Sequence, residues 1–116
     1  MAGYNNTSKD AGLTAIGAAA TWISLHTADP GTTGTSEVTG GTYARLQTTW
    51  GTAAASSMTG SQVTINVPAS TTITYWGVWS AASGSTYYYE GGALPASQAY
   101  VSAGTYLLTP TLTATG

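Results

Sequence analysis

The sequence carries very little charge. Two of its 116 residues are Lys or Arg and four are Asp or Glu, so the charged fraction is 5% where a typical soluble domain has about 25%. Two basic residues cannot neutralise a phosphate backbone or hold a chain on an anionic membrane, which argues against nucleic acid and membranes as partners. Weak repulsion between copies also favours permanent assembly, and we expect a homo-oligomer, for example a trimer.

Cysteine and phenylalanine are both absent. The first absence excludes disulfide bonds and thiol chemistry, and the second leaves four Trp and eight Tyr as the aromatic side chains. Long apolar runs are lacking too, since residues 13–25 are interrupted by Thr and Gly and are too short to span a bilayer. We also expect no signal peptide. Because 42% of the residues are hydrophobic, the composition still predicts a folded domain.

The first twenty residues predict an N-terminal arm and a short helix. Thr7 or Ser8 is the expected N-cap, and Leu13, Ile16 and Ala20 recur on one helical face. From residue 21 onward, seven segments rich in Thr, Val, Ile, Tyr and Trp predict short strands between Gly- and Pro-rich turns: TWISLHT, TYARLQTTW, QVTINV, TTITYWGVWS, STYYYEG, QAYVS and TYLLTPTLTA. We therefore expect a single domain over 1–116, with an all-β sandwich, immunoglobulin-like or jelly-roll-like, over 21–116.

The segment 23–45, which includes the loop at 27–41, contains the chain's one histidine and four of its seven charged or titratable His, Asp, Glu, Lys and Arg side chains. His26, Asp29 and Glu37 are of the types that bind metals, but no second His or Cys completes a ligand set. The alternative is a turn, in which Pro30 fixes φ, Gly31 takes a positive φ and the Asp29 side chain caps the backbone. The turn accounts better for ADPG, and we expect no metal site.

Catalytic patterns are equally scarce. No G-x-S-x-G motif is present, and nothing around His26 resembles a triad. The four acids, Asp10, Asp29, Glu37 and Glu90, show no spacing that pairs two of them for acid–base chemistry. We expect no enzymatic activity and no cofactor.

Two features predict roles other than catalysis. Glu37 and Arg45 flank a Gly-Gly turn, and a bidentate ion pair between them would clip the loop to the next strand. An exposed pair of this kind contributes about 0–1 kcal/mol.

Five aromatic side chains form the candidate interface or recognition surface: Tyr87, Tyr88, Tyr89, Trp76 and Trp79. Successive strand residues face opposite sides, so one part of this set can fill the core while the other meets a protein or a sugar. We favour core packing plus a protein interface over a carbohydrate platform.

Six motifs together resemble small all-β bacteriophage virion proteins of the tail-fibre or minor-tail type. These proteins are related in character to capsid decoration, or cement, proteins. The motifs are L-H-T-x-x-P-G at 25–31, E-V-x-G-G-x-Y-x-R at 37–45, V-P-A at 67–69, G-x-W-x-A at 77–81, G-G-x-L at 91–94 and A-G-x-Y at 103–106.

The resemblance implies a structural role in a virion assembled in the bacterial host cytoplasm. Its partners would be other virion proteins, either the major capsid protein or tail proteins. The sequence has no repeats or heptads from which one chain could build a long fibre, so we favour capsid decoration. The alternative is a minor tail or tail-fibre accessory protein with host-receptor or carbohydrate binding.

Overall fold

A computed structural model describes residues 5–89 and 92–114. One helix, α1, covers Asn6–Ala19. Eight strands follow it in this part of the chain: β1 (Trp22–His26), β2 (Leu46–Gln47), β3 (Ser57–Thr59), β4 (Val63–Val67), β5 (Thr71–Trp79), β6 (Ala93–Tyr100), β7 (Gly104–Leu108) and β8 (Thr111–Thr113).

The strands form antiparallel sheets around one hydrophobic cluster. The largest sheet has the order β2-β1-β5-β6, while β3 pairs with β8 and β4 pairs with β7. Buried side chains from all of these sheets and from α1 belong to the same cluster. The predicted all-β fold with a short N-terminal helix is confirmed, with eight strands among the described residues where seven were expected.

Burial patterns explain why the sequence forms these strands. In β4, Val63, Ile65 and Val67 are buried and the two residues between them are exposed, as expected for a strand with one solvated face. β5 differs because it lies between β1 and β6, and its last four residues, 76–79, are all buried. This central strand holds Trp76 and Trp79 inside the protein.

The helix begins earlier than the sequence predicts. Its N-cap is Asn5, whose Oδ1 accepts a hydrogen bond from the Ser8 N–H at 2.9 Å, so the choice of Thr7 or Ser8 was wrong. Asp10 Oδ1 accepts from the Ser56 N–H at 2.8 Å and ties α1 to the turn before β3.

The segment STYYYEG is not a strand over residues 85–89, and its last two residues, Glu90 and Gly91, lie outside the described residues. Tyr87 makes an isolated bridge to Trp79, and the Tyr88 N–H donates to the Val78 carbonyl at 2.9 Å. The segment therefore borders the end of β5 without forming a ladder.

β6 begins within GGALPAS (91–97), one of the Gly- and Pro-rich segments predicted as turns, and runs through Pro95 into the predicted strand QAYVS. It is an edge strand, and its register with β5 shifts between Ile73 and Tyr75. Proline is tolerated at edges and bulges because its missing N–H removes no ladder hydrogen bond there. Pro110 likewise separates β7 from β8, which pair with different strands.

Over residues 5–89 and 92–114, no helix is long and apolar enough to cross a membrane.

Candidate functional site

Arg45 is the centre of a polar cluster that it forms with Glu37 and Tyr43. It immediately precedes β2 and is 8% exposed. Its Nε donates to Glu37 Oε2 at 2.9 Å and its Nη2 donates to Glu37 Oε1 at 2.8 Å. The structure thus brings together, as a bidentate ion pair, the two residues that the sequence analysis pairs.

Further contacts of Arg45 reach the turn after β5. Nη1 donates to the carbonyl oxygens of Ala81 and Gly84, each at 2.9 Å, and the guanidinium carbon lies 3.7 Å from the centroid of the Trp79 ring. A planar guanidinium can donate in several directions and stack at the same time, which lysine cannot do. One side chain therefore connects the loop after β1, the end of β5 and the turn that follows.

Tyr43 joins Glu37 to β1. Its hydroxyl donates to Glu37 Oε2 at 2.7 Å and accepts from the Leu25 N–H at 3.1 Å. Burial acts to raise the pKa of Glu37, but the hydrogen bonds from Arg45 and Tyr43 outweigh it and hold the pKa below the ordinary value of 4.5. Burial also raises the pKa of Tyr43, so the phenol keeps its proton and remains a donor.

His26 takes part in a series of three hydrogen bonds inside the protein. Its Nδ1 lies 2.8 Å from the Thr35 carbonyl oxygen, and because a carbonyl only accepts, Nδ1 carries the proton. The neutral ring then accepts at Nε2 from the Ser24 hydroxyl, 2.7 Å away, and Ser24 Oγ accepts from Trp79 Nε1–H at 2.8 Å. These hydrogen bonds pair buried polar atoms that would otherwise lack partners and destabilise the fold.

Ser24 and His26 do not form an accessible nucleophile–base pair. Both residues are fully buried, and the Ser24 oxygen is bonded on both sides. In the described part of the chain, no group of three or more His, Cys, Asp or Glu side chains is placed to hold a metal ion.

Asp29 has a separate role in the turn. Its Oδ1 accepts from the Gly31 N–H at 2.9 Å, and Gly31 has a φ of 61°. Pro30, between them, is fully buried and its carbonyl accepts from the Gly34 N–H at 3.0 Å. These contacts are those of a folded connection.

We predict that acid destabilises the protein in two stages. Burial lowers the pKa of His26 below its ordinary value of 6.5, so below pH 6.5 the unfolded chain binds a proton that the folded chain does not. The lowered pKa of Glu37 acts in the same direction below pH 4.5. Between pH 3.5 and pH 7.5, stability should therefore be highest above pH 6.5 and should fall as the pH drops through each of these values.

Urea unfolding at several pH values between 7.5 and 3.5 measures both stages. His26→Asn should remove the first loss and keep the second, and Glu37→Gln should do the reverse. If His26→Asn loses as much stability as the wild type between pH 7 and pH 5, the buried histidine is not the source.

The two candidate tryptophans are buried. Trp76 is 6% exposed and Trp79 is 7% exposed. Tyr89 packs on Trp76 with ring centroids 5.1 Å apart, and Tyr87 packs edge-on against Trp79 at 4.9 Å. These two pairs therefore anchor the tyrosine segment to β5, and the tryptophans do not form a platform for a ligand.

Tyr88 faces solvent and is 38% exposed. Together with Thr32, the three consecutive tyrosines line a shallow hollow of about 230 Å³. We call these four residues, Thr32, Tyr87, Tyr88 and Tyr89, the tyrosine surface.

Sequence reasoning missed a larger concave region. A groove of about 730 Å³ lies between α1 and residues 47–52. The sequence feature that could have indicated this groove is the Thr-rich segment around Trp50, which the sequence analysis assigned to a strand.

The structure is that of a small all-β protein in which an ion pair between Glu37 and Arg45 connects loops inside the fold. The chain matches the protein family described as "Podophage GP4 fiber I protein gp80" over residues 5–113. It belongs to this family, and is thus a small protein of the phage tail-fibre type. No curated protein and no solved structure matches the chain.

Family membership implies a component of the virion. It supports the fibre interpretation more than capsid decoration, which the sequence analysis favoured. The resemblance to tail-fibre proteins is confirmed.

Proposed function

We propose that this chain is a non-enzymatic subunit of a phage tail fibre that docks on other virion proteins. The family match over residues 5–113 is the observation that carries the proposal. Two further features support it. The chain has few charges to keep copies or partners apart, and His26, Glu37 and Arg45 are engaged in hydrogen bonds inside the fold.

The proposed docking site is the tyrosine surface. Tyrosine is enriched at protein interfaces because its ring supplies apolar area while its hydroxyl forms hydrogen bonds. Tyr88 is the exposed tyrosine of this surface, and its neighbours Tyr87 and Tyr89 are anchored on buried tryptophans. A rigid base under an exposed aromatic side chain lowers the entropy lost on binding.

The test uses a phage that lacks this gene, complemented with plasmid-encoded variants. Tyr88→Ser should raise the dissociation constant for docking by about thirtyfold, the effect of losing about 2 kcal/mol at an interface hot spot, and so reduce the amount of the protein in purified virions. Quantitative immunoblotting against a major virion protein measures the change.

Val101→Ser is the matched control, since Val101 is 88% exposed and lies outside the tyrosine surface. It should leave incorporation unchanged. The thermal midpoint of the purified Tyr88→Ser protein should equal that of the wild type. Normal incorporation of Tyr88→Ser would show that docking uses another face.

A further inference from the structure

The groove between α1 and residues 47–52 is a second candidate site, independent of how the chain joins the virion. Its volume of about 730 Å³ lies within the range of small-molecule binding sites. Thr14 and Ala18 line it from α1, and Gln47, Thr49 and Trp50 line it from the other side. It shares no residue with the tyrosine surface.

The lining is polar and carries no ionisable side chain among the described residues. Gln47 Nε2 donates to Thr21 Oγ1 at 2.8 Å. The Thr21 hydroxyl can therefore donate its proton to a ligand, and the side-chain oxygen of Gln47, Oε1, can accept a hydrogen bond from one. Thr14 Oγ1 donates to the Asp10 carbonyl at 2.9 Å and can still accept. The groove therefore offers neutral donors and acceptors close together.

Trp50 gives the groove a fixed aromatic wall. Its Nε1 donates to the Ala20 carbonyl at 2.9 Å. A Cβ at Gly17 would lie 3.1 Å from Trp50 Cδ1, and a Cβ at Gly60 would lie 3.0 Å from Trp50 Cε3. The backbone at Gly17 and Gly60 therefore packs against two edges of the Trp50 ring and restricts its movement.

We propose that this groove binds a neutral oligosaccharide. Sugar hydroxyls both donate and accept hydrogen bonds, and their C–H faces pack on aromatic rings, so they match threonine, glutamine and Trp50 together. A charged ligand would lose its hydration without gaining an opposite charge, which disfavours it. A fixed ring and a pre-formed hydrogen bond between Gln47 and Thr21 also reduce the ordering required on binding.

The experiment is protein-observed NMR of the full chain with neutral tri- to pentasaccharides of glucose, galactose, mannose and N-acetylglucosamine. Sulfated counterparts serve as the anionic comparison. The four tryptophans give separate indole N–H signals, and the signal missing from Trp50→Phe assigns Trp50. At least one neutral glycan should shift the Trp50 signal in a saturable way that added salt does not weaken.

Ala18→Trp places a large side chain in the groove, and should raise the dissociation constant by about tenfold or more. Ala19→Trp is the matched control, because Ala19 is exposed on the same helix and does not line the groove. Ala19→Trp should bind as the wild type does, and both variants should keep the dispersed spectrum of the folded protein.

Three outcomes would overturn the proposal. The first is no saturable shift with any neutral glycan at about 10 mM, a concentration that reveals binding even with a dissociation constant above about 1 mM. The second is equal binding by Ala18→Trp and the wild type, which would place the site elsewhere. The third is a preference for sulfated glycans that added salt abolishes.

Discussion

Arg45→Ala is expected to lower the free energy of unfolding by about 3–5 kcal/mol, the cost of removing one partner from a buried ion pair. The substitution leaves the Glu37 carboxylate with the Tyr43 hydroxyl as its remaining hydrogen-bond donor among the described residues. It also removes the hydrogen-bond donor of the Ala81 and Gly84 carbonyls and the cation that stacks on Trp79. Urea unfolding at pH 7 followed by tryptophan fluorescence measures the change.

Two further variants separate the geometry of Arg45 from its charge. Arg45→Lys keeps the charge but cannot make the bidentate pair and both carbonyl contacts, so we expect an intermediate loss. Lys9→Ala removes the chain's other basic residue and should change stability by less than about 0.5 kcal/mol. If Arg45→Ala costs no more than Lys9→Ala, the polar cluster does not brace the loops.

Gly34→Ala is expected to cost about 2–4 kcal/mol, from strain and overpacking together. Gly34 has a φ of 75°, which disfavours any residue with a Cβ. A Cβ there would also collide with the Trp79 ring, and would lie 2.8 Å from Tyr87 Cδ1. The ring cannot retreat easily, because its Nε1 is bonded to Ser24 and Arg45 covers it.

Gly31→Ala is the matched control for this prediction. Gly31 lies in the same loop with a φ of 61°, and nothing lies within 4 Å of the position of its Cβ. Gly31→Ala should therefore cost only the backbone strain, about 1–2 kcal/mol. Equal losses from the two substitutions would mean that close packing of the loop on Trp79 contributes nothing.

Strands with strong local patterns could be predicted from the sequence. β4 alternates between buried Val or Ile and exposed polar residues, and β5 is rich in β-branched and aromatic residues, so both were located correctly. Only the end of β6, residues 98–100, was predicted as a strand, because Pro95 and the small residues around it are typical of a turn. Only its position at the edge of the sheet, a tertiary property, makes such a strand possible.

The candidate site was predictable to the same limited extent. The spacing of Glu37 and Arg45 around a Gly-Gly turn suggested their pairing, but treated as an exposed pair they were expected to contribute little. The partners that bury Arg45 are Trp79, Ala81 and Gly84, and they come more than thirty residues later in the chain. No local pattern connects such positions.

The choice between capsid and fibre depended on a length argument. A chain without repeats cannot form a long fibre alone, and that observation favoured capsid decoration. It does not prevent a compact chain from being one subunit of a fibre assembled from several. Membership of a fibre protein family supports this second possibility.

Immunogold electron microscopy of intact virions, with antibody raised against this chain, tests the proposed function most directly. The proposal predicts gold on the tail fibres, and no gold on virions of the gene deletion. Gold distributed over the heads would contradict it and favour capsid decoration. Absence of the protein from purified virions, intact or disrupted, would contradict any structural role in the particle.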